Sequence, residues 1–244
     1  MSLATSTLSR LRATRDDLAA RAQAMTDEEL AAPSRATDWN VAQVLSHLGS
    51  SSEIALAGLA DGLNGEDPPG QDFNESVWAR WDGSSDREKA DAFVEHSGAL
   101  LDALEKVPDD ATIKLGFMPV PLPFATVLGM RLSEFALHAW DVTGVPLDPD
   151  TAEVLREHLE TTMSFMLGFI GKPEQLTEPV AVKVDALTIV VDDKVSLDAG
   201  ATPTATIDAL LEVGIRLISG RVPEDVPVSG NVTLEQLRKV FPGY

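Results

Sequence analysis

Apolar side chains recur at helical spacing through most of the first 145 residues. One stripe contains Leu8, Leu11, Leu18 and Met25, and it predicts a helix over about residues 3–25. Similar periodicity predicts three further helices, over about residues 41–59, 85–104 and 124–142. Since amphipathic helices of this length bury their apolar faces against one another, residues 1–145 are predicted to form a helical bundle.

Two segments interrupt this pattern. Residues 61–70 hold three glycines and two prolines, which predicts a loop, and no helix is predicted around Trp78 and Trp81 beyond it. Residues 118–123 alternate three prolines with other residues and cannot be helical.

The pattern changes after residues 144–149, a Gly- and Pro-containing linker. One more helix is predicted over residues 151–170, followed by β-branched runs that predict strands. These strands cover residues 180–184, 187–191, 195–197 and 204–206, and the last helices cover residues 207–219 and begin again at Thr233. The predicted fold class is therefore α+β, with a second, smaller α+β domain over residues 150–244.

Charge and composition narrow the classes of function. The chain carries a net charge of −20, which disfavours a nucleic acid partner or an anionic membrane surface. No apolar run approaches the ~18 residues of a membrane span, and residues 1–18 lack the apolar stretch of a secretory signal. We therefore expect a cytoplasmic protein. Without cysteine, a thiolate nucleophile cannot come from the chain itself.

The histidines of the chain are its main candidates for metal ligands. Glu134 and His138 are one helical turn apart, on a polar stripe with Arg131 and Asp141. Two metal ligands at this spacing occur on H-E-x-x-H helices. The same spacing is also common on solvated helices, so this pair alone is a weak signal.

His47 lies on another predicted helix, beside the apolar positions Val44 and Leu48. Helices of one bundle can direct such a histidine and the Glu134–His138 pair toward a shared metal. A lone histidine at the edge of a core is more often structural, and His96 and His158 are interpreted in that way.

Two segments around these residues resemble a known family, the mycothiol-dependent maleylpyruvate isomerases. The first contains Pro33-Ser-Arg-Ala-Thr-Asp-Trp39-Asn and Val44-Leu-Ser-His47-Leu. The second is Arg131-Leu-Ser-Glu134-Phe-Ala-Leu-His138-Ala-Trp-Asp141, which is similar to the family pattern R-x-x-E-x-x-x-H-x-W-D. The first segment departs from the family at Thr37-Asp38, where Pro-Gly is frequent.

The resemblance implies a DinB-like four-helix bundle that binds a divalent metal, most often zinc, through His47, Glu134 and His138. Asp141 is a candidate to orient one imidazole, although it could equally be a carboxylate at a helix end that faces water. The resemblance extends more loosely to a sterol-carrier-like second domain, where Asn231 replaces an aspartate of the family. It implies a functional arginine there, with Arg221 the first candidate and Arg216 the second.

The implied function is that of a metal-dependent enzyme that activates mycothiol, a low-molecular-weight thiol, as a metal-bound thiolate. The thiolate would attack an electrophilic small molecule. We expect S-transfer in preference to cis–trans isomerisation, because arginines for a dianion are few and aromatic residues could line the metal's open side. Maleylpyruvate isomerisation itself, and a binding protein with a structural metal, remain as alternatives. The sequence does not indicate an oligomeric state.

Overall fold

A computed structural model describes residues 1–222 and 226–243. The chain divides into two compact units, Met1–Val145 and Pro146–Tyr244. The first unit is helical and the second combines helices with a sheet, so the α+β fold class is confirmed. Within the described residues, no helix is long and apolar enough to cross a membrane.

Four long helices make up most of the first unit. Its helices are α1 (Leu3–Ala24), α2 (Asp27–Ala31), α3 (Val41–Ala57), α4 (Leu59–Leu63), α5 (Gln71–Asp82), α6 (Asp86–Leu104) and α7 (Phe124–Thr143). Helix α3 packs on α6, and α1 packs on α7 and α6. Their apolar stripes form the core, in which Leu11, Leu18, Leu45 and Phe135 are fully buried.

Residues at the ends of the bundle helices determine where these helices begin and end. Asn40 caps α3, because its side chain accepts a hydrogen bond from Gln43 N–H while the Asn40 backbone N–H donates one to Gln43 Oε1. Ser85 and Glu88 form the same reciprocal cap at the start of α6, as their spacing predicts. Helix α7 ends at Gly144, whose φ of 69° lies in the left-handed region.

The prediction for residues 59–82 was wrong in part. The loop that separates α4 from α5 is shorter than expected, and Trp78 and Trp81 lie on the helix α5. Val77 and Trp81, one turn apart, are both buried, and a side chain at Gly49 of α3 would collide with the Trp81 ring. Packing against α3 therefore stabilises a helix that its own sequence signals only weakly.

Residues 118–123 are not helical, as expected. They close a short antiparallel pairing of strand β1 (Thr112–Ile113) with strand β2 (Leu122–Pro123) at the start of α7.

The second unit contains a five-stranded sheet among its described residues. Its strands are β3 (Val180–Val184), β4 (Leu187–Val191), β5 (Val195–Leu197), β6 (Ala205–Ile207) and β7 (Val228–Gly230), in the order β5-β4-β3-β6-β7. Its helices are α8 (Pro149–Glu160), α9 (Leu167–Ile170), α10 (Leu211–Ile218) and α11 (Leu234–Val240). Strands β3 and β6 are parallel, and the other neighbours are antiparallel.

Two helix predictions in this unit need correction. The helix predicted over residues 151–170 ends at Glu160 and is followed by a 3-10 turn, Ser164–Met166, and by α9. The helix predicted to begin at Ile207 begins at Leu211. Ile207 pairs with Val184 on one side and with Val228 on the other, so the sheet keeps it extended.

Candidate metal centre

Helices α3 and α7 bring three predicted ligands together. His47 Nε2 lies 3.1 Å from Glu134 Oε2, and His138 Nε2 lies 3.7 Å from the same oxygen. The two imidazole centroids are 4.9 Å apart. The burial of Val44, Leu48, Leu132 and Phe135 fixes the faces on which these polar side chains emerge.

These three residues fit a divalent metal. One ligand atom from each lies within 4.8 Å of the others, which is close enough for one ion to contact all three. Two imidazoles and a carboxylate are ligands that zinc accepts, and three protein ligands leave coordination positions for a small molecule. His138 is nearly buried, with 9% of its side chain exposed, whereas His47 and Glu134 expose about a third of theirs.

The electrostatics of Glu134 favour its charged form. Burial by itself would raise the pKa of this carboxyl. The hydrogen bond with His47, together with favourable electrostatic interactions with His138, His47 and Arg131, outweighs burial and lowers the pKa to about 2. Glu134 is thus ionised throughout the physiological pH range.

Arg131 contributes to this environment from one turn before Glu134. It donates a hydrogen bond from Nη1 to Ser51 Oγ of α3, at 3.0 Å. Burial lowers the pKa of its guanidinium, and the Glu134 carboxylate opposes that shift.

The carboxylate of Asp141 is hydrogen-bonded to the imidazole of His138. Its Oδ2 lies 2.8 Å from His138 Nδ1, and Asp141 is fully buried. A carboxylate at this position accepts a hydrogen bond from Nδ1–H, which leaves the Nε2 lone pair free to bind a metal. The alternative in which Asp141 faces water is therefore wrong.

Trp39 belongs to the same cluster, although the sequence motif that contains it indicated no role for its side chain. Its ring centroid lies 5.4 Å from that of His47 and 6.4 Å from that of His138, nearly parallel to the latter. The available signal was its position just before Asn40, the residue that caps the helix carrying His47.

The aromatic residues expected along the metal's open side include Trp78, Trp81, Phe117 and Phe124, and they differ widely in exposure. Trp81 and Phe124 are buried in the core, and Trp81 contacts the imidazole of His96. Phe117 and Trp78 are exposed at 70% and 42%. Among the described residues, Trp39 is the aromatic side chain with ring contacts to the site imidazoles.

The other two histidines have local partners. His96 Nε2 lies 3.7 Å from Glu53 Oε2, a neighbour from α3 that sequence spacing could not reveal. His158, in the second unit, is fully buried and pairs through Nδ1 with Thr162 Oγ1 at 2.8 Å.

Both predicted arginines of the second unit lie at the end of α10. Arg216 is buried and holds both carboxylate oxygens of Glu212, at 2.6 and 2.9 Å. Arg221 follows the helix, and its Nη1 donates to the carbonyl of Ser219 at 3.1 Å. A catalytic role for Arg221 stays a prediction.

The fold and the site define a class: a helical bundle with a convergent His-Glu-His cluster, followed by a small α+β unit. The sequence profile of the mycothiol maleylpyruvate isomerase N-terminal domain matches residues 11–143, more than half of the chain. This chain belongs to that family.

Two solved structures share its fold. One is a crystal structure of the mycothiol-dependent maleylpyruvate isomerase, with a TM-score of 0.70 and 15% sequence identity over 96% of this chain and 95% of that chain. The other, a histidine-to-alanine mutant, has a TM-score of 0.70 and 14% identity over the same shares of each chain. No curated protein sequence matches this chain.

Proposed function

We propose that this chain is an enzyme that activates mycothiol at a divalent metal, zinc in the first instance, held by His47, Glu134 and His138. The observation that carries the proposal is the convergence of these three ligand atoms within 4.8 Å, on the two segments that resemble the family. A chain without cysteine requires a thiol from outside, which a small cosubstrate supplies.

The protein's own residues prepare the site. A bound divalent metal acts as a Lewis acid that lowers the pKa of a coordinating thiol and so makes thiolate at neutral pH. Glu134 brings one negative charge, and the two neutral imidazoles bring none, so the site neutralises only part of a divalent charge. Asp141 keeps the proton of His138 on Nδ1, and the Nε2 lone pair therefore faces Glu134 and His47.

Of the two thiol reactions, we favour S-transfer to an electrophilic substrate. Maleylpyruvate carries two carboxylates, and recognition of such a dianion calls for several guanidinium groups near the metal. Three arginines close to the motifs already have partners: Arg80 pairs with Glu53, Arg87 pairs with Asp27, and Arg35 lies over the Trp140 ring.

One observation favours isomerisation as the second candidate. Arg131 lies beside Glu134 with a serine hydroxyl as its hydrogen-bond partner, and it could receive one carboxylate of a substrate.

Steady-state thiol consumption distinguishes these possibilities. The full-length chain, loaded with Zn²⁺, is incubated with mycothiol and either an apolar electrophile or maleylpyruvate. We expect thiol loss with the apolar electrophile that chelation abolishes and Zn²⁺ restores. Glu134→Gln should be inactive, whereas Glu53→Gln, which changes a similarly half-buried carboxylate outside the cluster, should remain active.

Conversion of maleylpyruvate without loss of thiol would select isomerisation instead. A chain that binds Zn²⁺ tightly but transforms no electrophile would support a binding protein with a structural metal.

A further inference from the structure

The segment Ser34–Trp39, here called the Trp39 loop, is held closed by its own hydrogen bonds. Ser34 donates to the Trp39 carbonyl both from its backbone N–H, at 3.0 Å, and from Oγ, at 2.9 Å. Pro33 and Asn40 form an antiparallel bridge at the base of the loop. The position of Trp39 is therefore defined by several bonds within the loop.

A second set of contacts fixes the loop to the carboxyl end of α7. Arg35 N–H donates to the carbonyl of Asp141 at 2.9 Å, and the Arg35 guanidinium lies 5.6 Å from the centre of the Trp140 ring. A Cβ at Gly144 would lie 2.2 Å from Arg35 Nη2, so the glycine makes room for this arginine. Asp141 thus holds the loop through its carbonyl and His138 through its carboxylate.

The loop also contains strained backbone next to the indole. Asp38 has a φ of 68°, in the left-handed region that non-glycine residues rarely occupy. Such conformations persist where the surrounding structure imposes them, and they cluster at functional sites. Here the strain precedes a tryptophan that contacts both histidines of the metal centre.

We propose that Trp39 is a positioning residue of the metal centre: the Trp39 loop holds the indole against His47 and His138, and so fixes both imidazoles with Nε2 toward one point. An imidazole on a flexible side chain loses rotational freedom when it binds a metal. If the indole already restricts both rings in the metal-free protein, little rotational freedom is left to lose on binding. The metal then binds more tightly. This inference rests on the proposed metal site and adds to it a residue that touches no metal.

Trp78 provides a matched control. It is also a half-exposed tryptophan, at 42% against 38% for Trp39, and it lies on α5 without a ring contact to either site histidine in the described residues. A substitution at Trp78 removes an equal volume of indole from the same unit. Any general effect of losing a surface tryptophan should therefore appear in both variants.

The experiment measures Co²⁺ affinity and the visible d–d spectrum of the full-length chain, with no substrate present. We expect Trp39→Ala to weaken Co²⁺ binding by about 10-fold or more, in the range found for residues that support metal ligands, and to alter the spectrum. Trp39→Phe, which keeps a flat ring, should recover most of the affinity. Trp78→Ala should match the wild type in both measurements.

A folded Trp39→Ala with wild-type affinity and spectrum would overturn this inference alone. If the alanine variant fails to fold, Trp39→Leu replaces it, because leucine fills the space without a flat ring. We expect this variant to show the same loss of Co²⁺ affinity. Wild-type affinity of the leucine variant would also overturn the inference. A wild-type chain that binds no Co²⁺ would overturn the proposed function and this inference together.

Discussion

Two helices of this protein carry an acidic and a basic residue four positions apart, but the two pairs differ in how their carboxylate oxygens are occupied. On α10, Glu212 and Arg216 form a buried two-point ion pair, at 2.6 and 2.9 Å, in which both carboxylate oxygens are occupied. On α7, Glu134 and His138 are 3.7 Å apart, and Glu134 shares its oxygen with His47 from α3. In the first pair, here called the closed pair, one guanidinium holds both carboxylate oxygens. The second, here called the open pair, leaves room for a third participant.

The comparison shows that spacing alone does not identify a site. Spacing of i,i+4 places two side chains on one helical face in both cases. A guanidinium matches a carboxylate geometrically and saturates it, whereas an imidazole offers a lone pair that a carboxylate cannot use. A second helix that directs another imidazole to the same point converts the open pair into a metal-binding geometry.

Breaking the closed pair should give the largest effect on stability. Arg216→Ala removes the partner of a buried Glu212, and loss of one member of a buried pair typically costs about 3–5 kcal/mol. Urea unfolding of the full-length chain measures this loss. Arg156→Ala, which disrupts a more exposed pair with Glu153 and Glu160, should cost at most about 1 kcal/mol. A similar small loss in both variants would show that the buried pair has no special weight.

The buried imidazole of His158 should make the stability of the protein depend on pH. Burial lowers the pKa of His158 from 6.5 to about 4. The unfolded chain therefore binds a proton at higher pH than the folded chain does, and stability falls as the pH drops from 6.5 toward 4. Over that interval the free energy of unfolding should decrease by up to about 3 kcal/mol because of this residue.

His158→Gln tests this dependence, because it keeps a polar side chain of similar length without a titrating ring. The difference in unfolding free energy between wild type and variant should change across this pH range. Two parallel pH profiles would contradict the assignment to His158.

Asp141 should affect metal binding more than stability. Removal of a carboxylate that orients a ligating histidine typically costs 10–100-fold in metal affinity, about 1.4–2.7 kcal/mol. We expect Asp141→Ala near the upper end, and Asp141→Asn near the lower end, since an amide oxygen can still accept a hydrogen bond from His138 Nδ1–H. Competition with a chromophoric chelator measures both. If both variants bound metal as tightly as the wild type, the hydrogen bond to Asp141 would have no role in orienting His138.

The smallest expected effect compares two aspartates with left-handed backbone. Asp38, with a φ of 68°, precedes Trp39, and Asp185, with a φ of 52°, lies in the turn between β3 and β4. Glycine relieves the strain but adds freedom to the unfolded chain, so each Asp→Gly change should stabilise by at most about 1 kcal/mol. Thermal unfolding measures both, and a clear loss of stability at Asp38 alone would reveal a role for its side chain.

The sequence predicted the bundle better than its connections. The stripes of α1, α3, α6 and α7 carry enough periodicity to define helices by themselves. Helix α5 was missed because its stability depends on Trp81 packing beside Gly49, a contact with no sequence signal. The beginning of α10 was misplaced because Ile207 is apolar in either structure, and its sheet neighbours decide between them.

At the site, motif resemblance supplied the three ligand candidates, and spacing supplied the Asp141–His138 contact. Trp39 could not be assigned, since its role depends on how the Trp39 loop folds onto α7. The glycine frequent before this tryptophan in the family agrees with the positive φ at Asp38. That agreement becomes visible only when the backbone conformation is known.

X-ray absorption at the zinc edge shows whether the sulfur of mycothiol binds the metal of this protein. The chain contains no cysteine, so a thiolate sulfur bound to its zinc must come from an added thiol. Without thiol, the zinc-loaded protein should show only nitrogen and oxygen ligands at about 2.0–2.2 Å, with imidazole among them. With mycothiol, we expect one sulfur ligand at about 2.3 Å. A ligand shell that mycothiol leaves unchanged, at saturating concentration, would contradict this expectation.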